Sequence, residues 1–365
     1  MKTRLHLQNA VIAILLFLSS SHLKSDDDYA KSIDHWCDSI LANTKLPGML
    51  IGVWAPGKTE YVKAKGKSDI NKRTEMNLDD KFRIGSVTKT FVVTVLLQLV
   101  DEGKLQLDDP INKYFPDFPN GSNITVRMLA NMSSGIFSYS ETAAFEDSLT
   151  NNPFKQWTPK EFIELSLSEK PNFEPGKGFH YSNTNFILIG MIIEKITGNS
   201  LKSEIENRIL KPLNLKNTSF PDYGAALPEP YSHGFMIDST GKLTDYTEGY
   251  DISWAWAAGA MISDMADMKT WAEALGTGKM ISAESQKERL KWVEVAGSPA
   301  KYGLGIFTVQ GFMGHDGGLP GYTNITMYDP VHKAVIIVFY NTQDEKIKPG
   351  SLMRVIAEML YPDNK

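Results

Sequence analysis

Arg83-Ile84-Gly85-Ser86-Val87-Thr88-Lys89-Thr90, running on into the apolar segment Phe91 to Val100, is the part of the chain from which the rest can be placed. Between Phe91 and Val100 only Thr94 and Gln98 interrupt the apolar residues. A helix apolar nearly all round belongs in the middle of a domain, so this segment predicts a buried helix. Gly103, after Asp101-Glu102, is its expected stop. Residues three apart on a helix share a face, which lets Ser86 and Lys89 bring a hydroxyl and an amine within reach of each other. The unpaired N–H groups and the dipole at the helix start suit a developing oxyanion. Alone, S-x-x-K is a weak signal, because serine is a common N-cap and lysine a common exposed residue.

The 365 residues can hold one large domain or two ordinary ones. With 42% hydrophobic and 22% charged residues the composition is that of a globular protein. A net charge of −5 supplies no basic surface, so nucleic acid is not an expected partner. Lys2, Arg4 and His6 precede the apolar run Ala10 to Leu18 and then Ser19-Ser20-Ser21. That layout predicts a signal peptide over residues 1–25, cut after Ser21 or Ser25; the run is short for a stable membrane anchor. An uncleaved tether is the alternative. A single cysteine, Cys37, allows no internal disulfide, and export without disulfides suggests a secreted or periplasmic protein held by its core.

Asp26 to Asn43 reads as a helix with Ile33, Trp36, Cys37, Ile40 and Leu41 at helical spacing. Met49 to Ala55 and Glu60 to Gly66 read as a hairpin across Pro56-Gly57. A helical section follows. Thr125 caps a short helix, Thr158-Pro159-Lys160-Glu161 forms a capping box, and Asn183 or Thr184 opens a helix closed by Gly198. Leu201 to Leu210 is a further helix, and Ser263 is the expected cap of one running to Leu275 and stopped by Gly276. Strands are expected at Gly303 to Val309, Tyr322 to Tyr328 and Ala334 to Asn341, then a last helix from Gly350 to Leu360. The expected class is α+β: an antiparallel sheet built from the N- and C-terminal segments (26–85 and 250–365), flanked by helices, with a mostly helical part (86–249) inserted.

Three further features strengthen Ser86. Tyr181-Ser182-Asn183 stands at the mouth of an apolar helix, where a phenol can relay protons and an amide can hold a substrate carbonyl. Gly314-His315-Asp316-Gly317-Gly318 lies at the start of a strand, and its small residues let a substrate backbone lie alongside. Ser253-Trp254-Ala255-Trp256-Ala257-Ala258-Gly259 can wall a cleft. Each has an ordinary structural explanation taken singly, a core aromatic or a satisfied polar group.

Taken in order, S-x-x-K, Y-x-N and H-x-G resemble the penicillin-recognising serine hydrolases, within them the soluble D-alanyl-D-alanine carboxypeptidases near class C β-lactamases. The resemblance runs from about Leu46 to Met359 and is densest at Phe82 to Asp108 and Tyr181 to Gly198. It implies that Ser86 forms an acyl-enzyme, and that Lys89 and Tyr181 take its proton and pass it to the leaving group. A lysine amine buried beside a phenol can be lowered enough in pKa to act near neutrality. By the same resemblance Asn183 holds the substrate's amide side chain, His315 completes the proton network, and Trp254 lines the cleft with Asp316 and Gly317. Backbone N–H groups of Ser86 and Gly318 form the oxyanion hole. No metal or other cofactor is implied, and the seven histidines show no metal-ligand spacing.

Carboxypeptidases of this family usually carry His-Thr-Gly-Thr at the third motif and an Arg on the preceding strand. Here Gly303 to Gly314 has neither Arg nor Lys, and Asp316 replaces the threonine. Pointing into the cleft, Asp316 would repel a carboxylate by about 1 to 4 kcal/mol at about 4 Å; pointing outward it would be neutral in effect. Asn131-Met132-Ser133-Ser134-Gly135 also departs from the related His-Thr-Ser-Gly run. The leading expectation is a secreted carboxypeptidase-like hydrolase of peptides, amides, esters or β-lactams, with peptidoglycan a possible partner. An esterase, D-aminopeptidase or weak β-lactamase is the rival, and a non-turnover penicillin sensor the alternative outside enzymes.

Overall fold

Ala334 to Tyr340 is apolar at every position, a pattern for a strand covered on both faces rather than one. The computed structural model describes residues 26–238, 240–344 and 346–362, so the expected leader lies outside the described residues. Nine strands form one antiparallel sheet. The N-terminal part supplies β1 (Gly48–Trp54), β2 (Tyr61–Asp69) and β3 (Thr74–Glu75). The C-terminal part supplies β4 (Val293–Glu294), β5 (Lys301–Tyr302), β6 (Phe307–Val309), β7 (Phe312–Leu319), β8 (Tyr322–Asp329) and β9 (Ala334–Tyr340). Their order is β3-β2-β1-β9-β8-β7-β6-β5-β4. The two parts meet where β1 pairs with β9, Leu50 opposite Phe339 and Gly52 opposite Ile337.

Because successive strand side chains point to opposite faces, each central strand feeds two cores. Ile336, Val338 and Tyr340 join Met49, Ile51 and Val53 under α1 (Asp26–Asn43) and a C-terminal helix, Pro349–Leu360. Val335, Ile337 and Phe339 face the larger core. That core holds α2 (Thr88–Asp101), α3 (Asn183–Thr197) and α4 (Met265–Thr277); the C-terminal helix is α5. The expected class therefore holds: a sheet from both ends of the chain, flanked by helices, with helical segments between β3 and β4.

Helix α2 is buried from Thr88 to Leu97 and again at Leu99. Its two polar interruptions are tied to neighbouring segments: Thr94 Oγ1 accepts from Arg289 Nη2 at 2.7 Å, and Gln98 Nε2 donates to Met280 O at 2.9 Å, while Gln98 Oε1 is buried without a partner. Phe91 stacks on Trp271, ring centroids 3.9 Å apart. The capping box at Thr158 forms with both of its bonds, and Gly198 closes α3.

Several boundaries differ from the sequence reading; of the strand expected at Gly303 to Val309 only Phe307–Val309 forms. Asp264, not Ser263, caps α4, accepting from Asp267 N at 2.9 Å, while Ser263 pairs with Phe82 in a short two-stranded ladder. The left-handed stop is Gly278; Gly276 lies inside the helix, where a Cβ would meet the Tyr328 ring at 2.1 Å. That glycine serves packing, not termination. The motif His315-Asp316-Gly317-Gly318 also lies within β7 rather than at its start. Glycine lowers strand propensity, and pairing with β8, His315 opposite Thr326 and Gly318 opposite Thr323, overrides it.

Candidate active site

A 3₁₀ turn, Gly85–Val87, leads into α2 and presents Ser86. Gly85 takes φ +52°, in the left-handed region, and a Cβ there would meet Gly318 N at 2.7 Å. Strand β7 therefore lies directly against the serine turn. Gly317 is equally constrained: a Cβ would meet Ile84 O at 1.9 Å and Asn324 Nδ2 at 2.8 Å. Asn324, buried on β8, donates from Nδ2 to Ile84 O at 3.2 Å and ties the turn to the sheet. Gly317→Ala is expected to cost about 1 to 3 kcal/mol, since the obstruction is backbone that cannot swing aside. A lowered thermal midpoint together with slower acylation checks it; an unchanged protein would contradict this geometry.

Lys89 is fully buried, and its Nζ donates to Ser86 Oγ at 2.8 Å and to Ala258 O at 2.7 Å. Burial pushes its amine well below the ordinary lysine range, and the charge of Asp316 partly opposes this. The same nitrogen lies 4.9 Å from the centre of the Tyr181 ring. Tyr181 hydroxyl is buried without a well-formed hydrogen bond. Burial raises its pKa strongly, and the neighbouring Ser86 hydroxyl acts in the opposite direction. Ser86, Lys89 and Tyr181 thus converge, with Tyr181 delivered from the residues just before α3.

His315 is buried on β7 and reaches elsewhere. Its Nε2 is 3.0 Å from Tyr302 hydroxyl, and its Nδ1 is 2.6 Å from the carbonyl oxygen of Asp316. Its ring centroid is 6.2 Å from that of Tyr181, as is the centroid of Tyr302. The direct partner of His315 is therefore Tyr302 rather than the lysine or the phenol of the triad. Asp316 points into the cleft with its side chain 66 % exposed. Desolvation by the surrounding protein acts to raise the carboxyl pKa, and the hydrogen bond and charge of His315, helped by Lys89, outweigh that and leave it lowered.

Asn183 does not reach into the cleft. Its Nδ2 donates to Ser140 Oγ at 2.9 Å, its backbone N–H to Ser138 Oγ at 3.1 Å, and its Oδ1 is buried without a partner. Trp254 packs between Tyr250 and Phe145, centroids 5.9 and 5.7 Å away, and stands outside the lining of the cleft at Ser86. That cleft, about 550 Å³, is lined by Ser86, Tyr181, Asp316, Gly317 and Gly318 and extends to Lys348, the residue before α5, and Arg354 on α5. Sequence reading missed Ala258, Tyr302 and Asn324. A backbone carbonyl carries no side-chain signal, and Asn324 is one of four polar residues in Tyr322–Asp329, so nothing in the sequence singles it out.

Fold and site together define a serine hydrolase of the β-lactamase/DD-peptidase fold. The beta-lactamase family model matches residues 33–356, and the chain belongs to that family. A D-stereospecific amidohydrolase from Streptomyces sp. is 33% identical in sequence with a TM-score of 0.79, over 86% of this chain and 94% of that one. D-amino acid amidase from Ochrobactrum anthropi SV3, solved with L-phenylalanine amide, is 28% identical with a TM-score of 0.81, over 93% and 100%. PbpX of Bacillus subtilis (strain 168), a protein named for penicillin binding, is 28% identical over 296 residues, 81% of this chain and 70% of its own length. The chain spans about two thirds of the length of the curated relatives it matches. Among the described residues no helix is long and apolar enough to cross a membrane.

Proposed function

We propose that the protein is an exported amidohydrolase that cleaves amides of D-amino acids through an acyl-enzyme on Ser86. The observation that carries this reading is the fully buried Lys89, held at 2.8 Å from Ser86 Oγ by Ala258 O on its other side. Desolvation favours the neutral amine, so Lys89 accepts the serine proton as Ser86 Oγ attacks the carbonyl. Tyr181, beside both, passes a proton to the departing amine. Backbone N–H groups of Ser86 and Gly318 receive the oxyanion, and the close approach of β7 to the serine turn supports that role. Water then releases the acid and restores Ser86. The preference for D-amino acid amides rests on similarity to the two amidohydrolases and on Asp316, which disfavours the free carboxylate of a D-alanyl-D-alanine terminus.

A second reading, D-alanyl-D-alanine carboxypeptidase activity on peptidoglycan peptides, is favoured by Arg354 in the same cleft. A kinetic panel of a D-amino acid amide, its L-enantiomer, a D-Ala-D-Ala peptide, a short-chain ester and a cephalosporin separates the two. The D-amide is expected to exceed the D-Ala-D-Ala peptide in kcat/KM by about tenfold or more, the scale of 1.4 kcal/mol. The reverse order returns the carboxypeptidase assignment. Stoichiometric labelling without turnover of any substrate would mean a penicillin sensor instead.

A further inference from the structure

Residues 131–135, Asn-Met-Ser-Ser-Gly, lie against the segment that delivers Tyr181. Three of their carbonyls accept backbone N–H groups from it: Gly135 O from Asn172 at 2.8 Å, Ser133 O from Gly176 at 2.8 Å, and Met132 O from His180 at 3.1 Å. Side chains carry the contact past the tyrosine. Ser134 Oγ donates to Asn185 Oδ1 at 2.7 Å, and Asn185 Nδ2 donates to Met132 Sδ at 3.6 Å. The backbone N–H of Ser182 donates to the same sulfur at 3.4 Å. Met132 therefore holds both neighbours of Tyr181, His180 through its carbonyl and Ser182 through its sulfur.

Met132 does this from an unfavourable backbone. It is fully buried with φ +65°, in the left-handed region. Glycine takes that region freely, and asparagine, aspartate or histidine takes it more readily than methionine does. Strain of this kind persists where surrounding contacts over-determine it, and here those contacts flank the phenol of the site. The Tyr181 hydroxyl has no well-formed bond of its own to fix the ring. Its place over Lys89, 4.9 Å from ring centre to Nζ, is set by packing and by the backbone on either side. A leucine would fill much the same space as Met132 and accept nothing. Thioether sulfur is a weak acceptor, but Ser182 N and Asn185 Nδ2 have no other partner among the described residues, and a buried donor left unpaired is costly.

We propose that Met132 is a positioning residue for proton delivery: its carbonyl and its sulfur bracket Tyr181 and hold the phenol where it hands a proton to the departing amine. The proposal rests on the reading in which Tyr181 is that donor. It gives the methionine at this position a role that leucine could not fill, although both are apolar and alike in size.

Two leaving groups test it on the full chain. Ammonia leaving D-alaninamide must collect a proton, whereas p-nitrophenolate leaving p-nitrophenyl acetate departs without one. Acylation is read for both, by single-turnover kinetics for the amide and by the burst for the ester. Met132→Leu is expected to slow acylation by the amide about tenfold, short of the roughly hundredfold that a displacement of about 1 Å can cost. KM for the amide and the ester burst should stay nearly unchanged. Met132→Gln, whose carbonyl oxygen can accept two N–H groups, is expected to keep the natural amide-to-ester ratio, and it carries the test should the leucine protein not fold. Tyr181→Phe sets the scale for complete loss of the donor and is expected to depress that ratio further. Equal falls on amide and ester from Met132→Leu, or no fall on either, would overturn the proposal and leave the amidohydrolase reading standing, as would loss of the ratio in the Met132→Gln protein. If Tyr181→Phe itself treats the two leaving groups alike, the donor assignment is removed and positioning by Met132 falls with it.

Discussion

Ser86→Ala protein is expected to take no covalent label from a fluorophosphonate probe under conditions that label the natural chain to completion. The substitution removes the one hydroxyl that Lys89 Nζ contacts at 2.8 Å and leaves the buried packing of α2 untouched. Lys89→Ala is expected to label more slowly by about a thousandfold, within the range for loss of a positioned general base and equivalent to about 4 kcal/mol of barrier. Intact-mass spectrometry measures both. Undiminished labelling of the Ser86→Ala protein would remove the nucleophile assignment. Fast labelling of the Lys89→Ala protein would leave Ser86 and pass the base to Tyr181, whose hydroxyl has no other partner of good geometry.

The pH dependence of acylation gives the second large effect. Lys89 can accept a proton only when neutral, so the rate should climb as pH rises through its lowered pKa and level off above it. Asp316 raises that pKa by its charge. Replacing the carboxylate with an amide, Asp316→Asn, removes an interaction that favours the ammonium form, so Lys89 loses its proton at lower pH. The acid limb of the profile should move toward acid, the direction opposite to that produced by adding a negative charge. A limb that stays in place would show that another group controls it, and a limb that moves toward alkali would contradict the position of Asp316 in the cleft. Pre-steady-state acylation of an ester by each protein reads the limb without interference from deacylation.

Local rules carried much of the site. Serine at 86 and lysine at 89 share a face because helical spacing demands it, and a run as apolar as Phe91 to Val100 has to be buried wherever the chain ends. Thr158 with Pro159 and Glu161 marks a helix start by hydrogen bonds confined to one turn. What local rules leave open lies where an interaction crosses the sheet or the core. Gly276 and Gly278 are equivalent as sequence, and only the Tyr328 ring packed on the first tells them apart. His315 was expected in the proton network because of its place in the motif. Its hydrogen-bond neighbour is Tyr302 on β5, one strand beyond β6 in the sheet order. Asn183 was expected to hold substrate, but Ser138 and Ser140, more than forty residues earlier, engage it first.

By itself the sequence nominated residues able to do chemistry and determined that the helix carrying Ser86 lies inside an α+β fold, because spacing, capping and apolar patterning act over a few residues. Tertiary structure alone decided that Ala258 O holds Lys89, that β7 presses on the serine turn, and that Asp316 faces the cleft. Each of those depends on a backbone or side chain brought from a distant segment, and pairing at that range leaves no periodic trace in the order of residues.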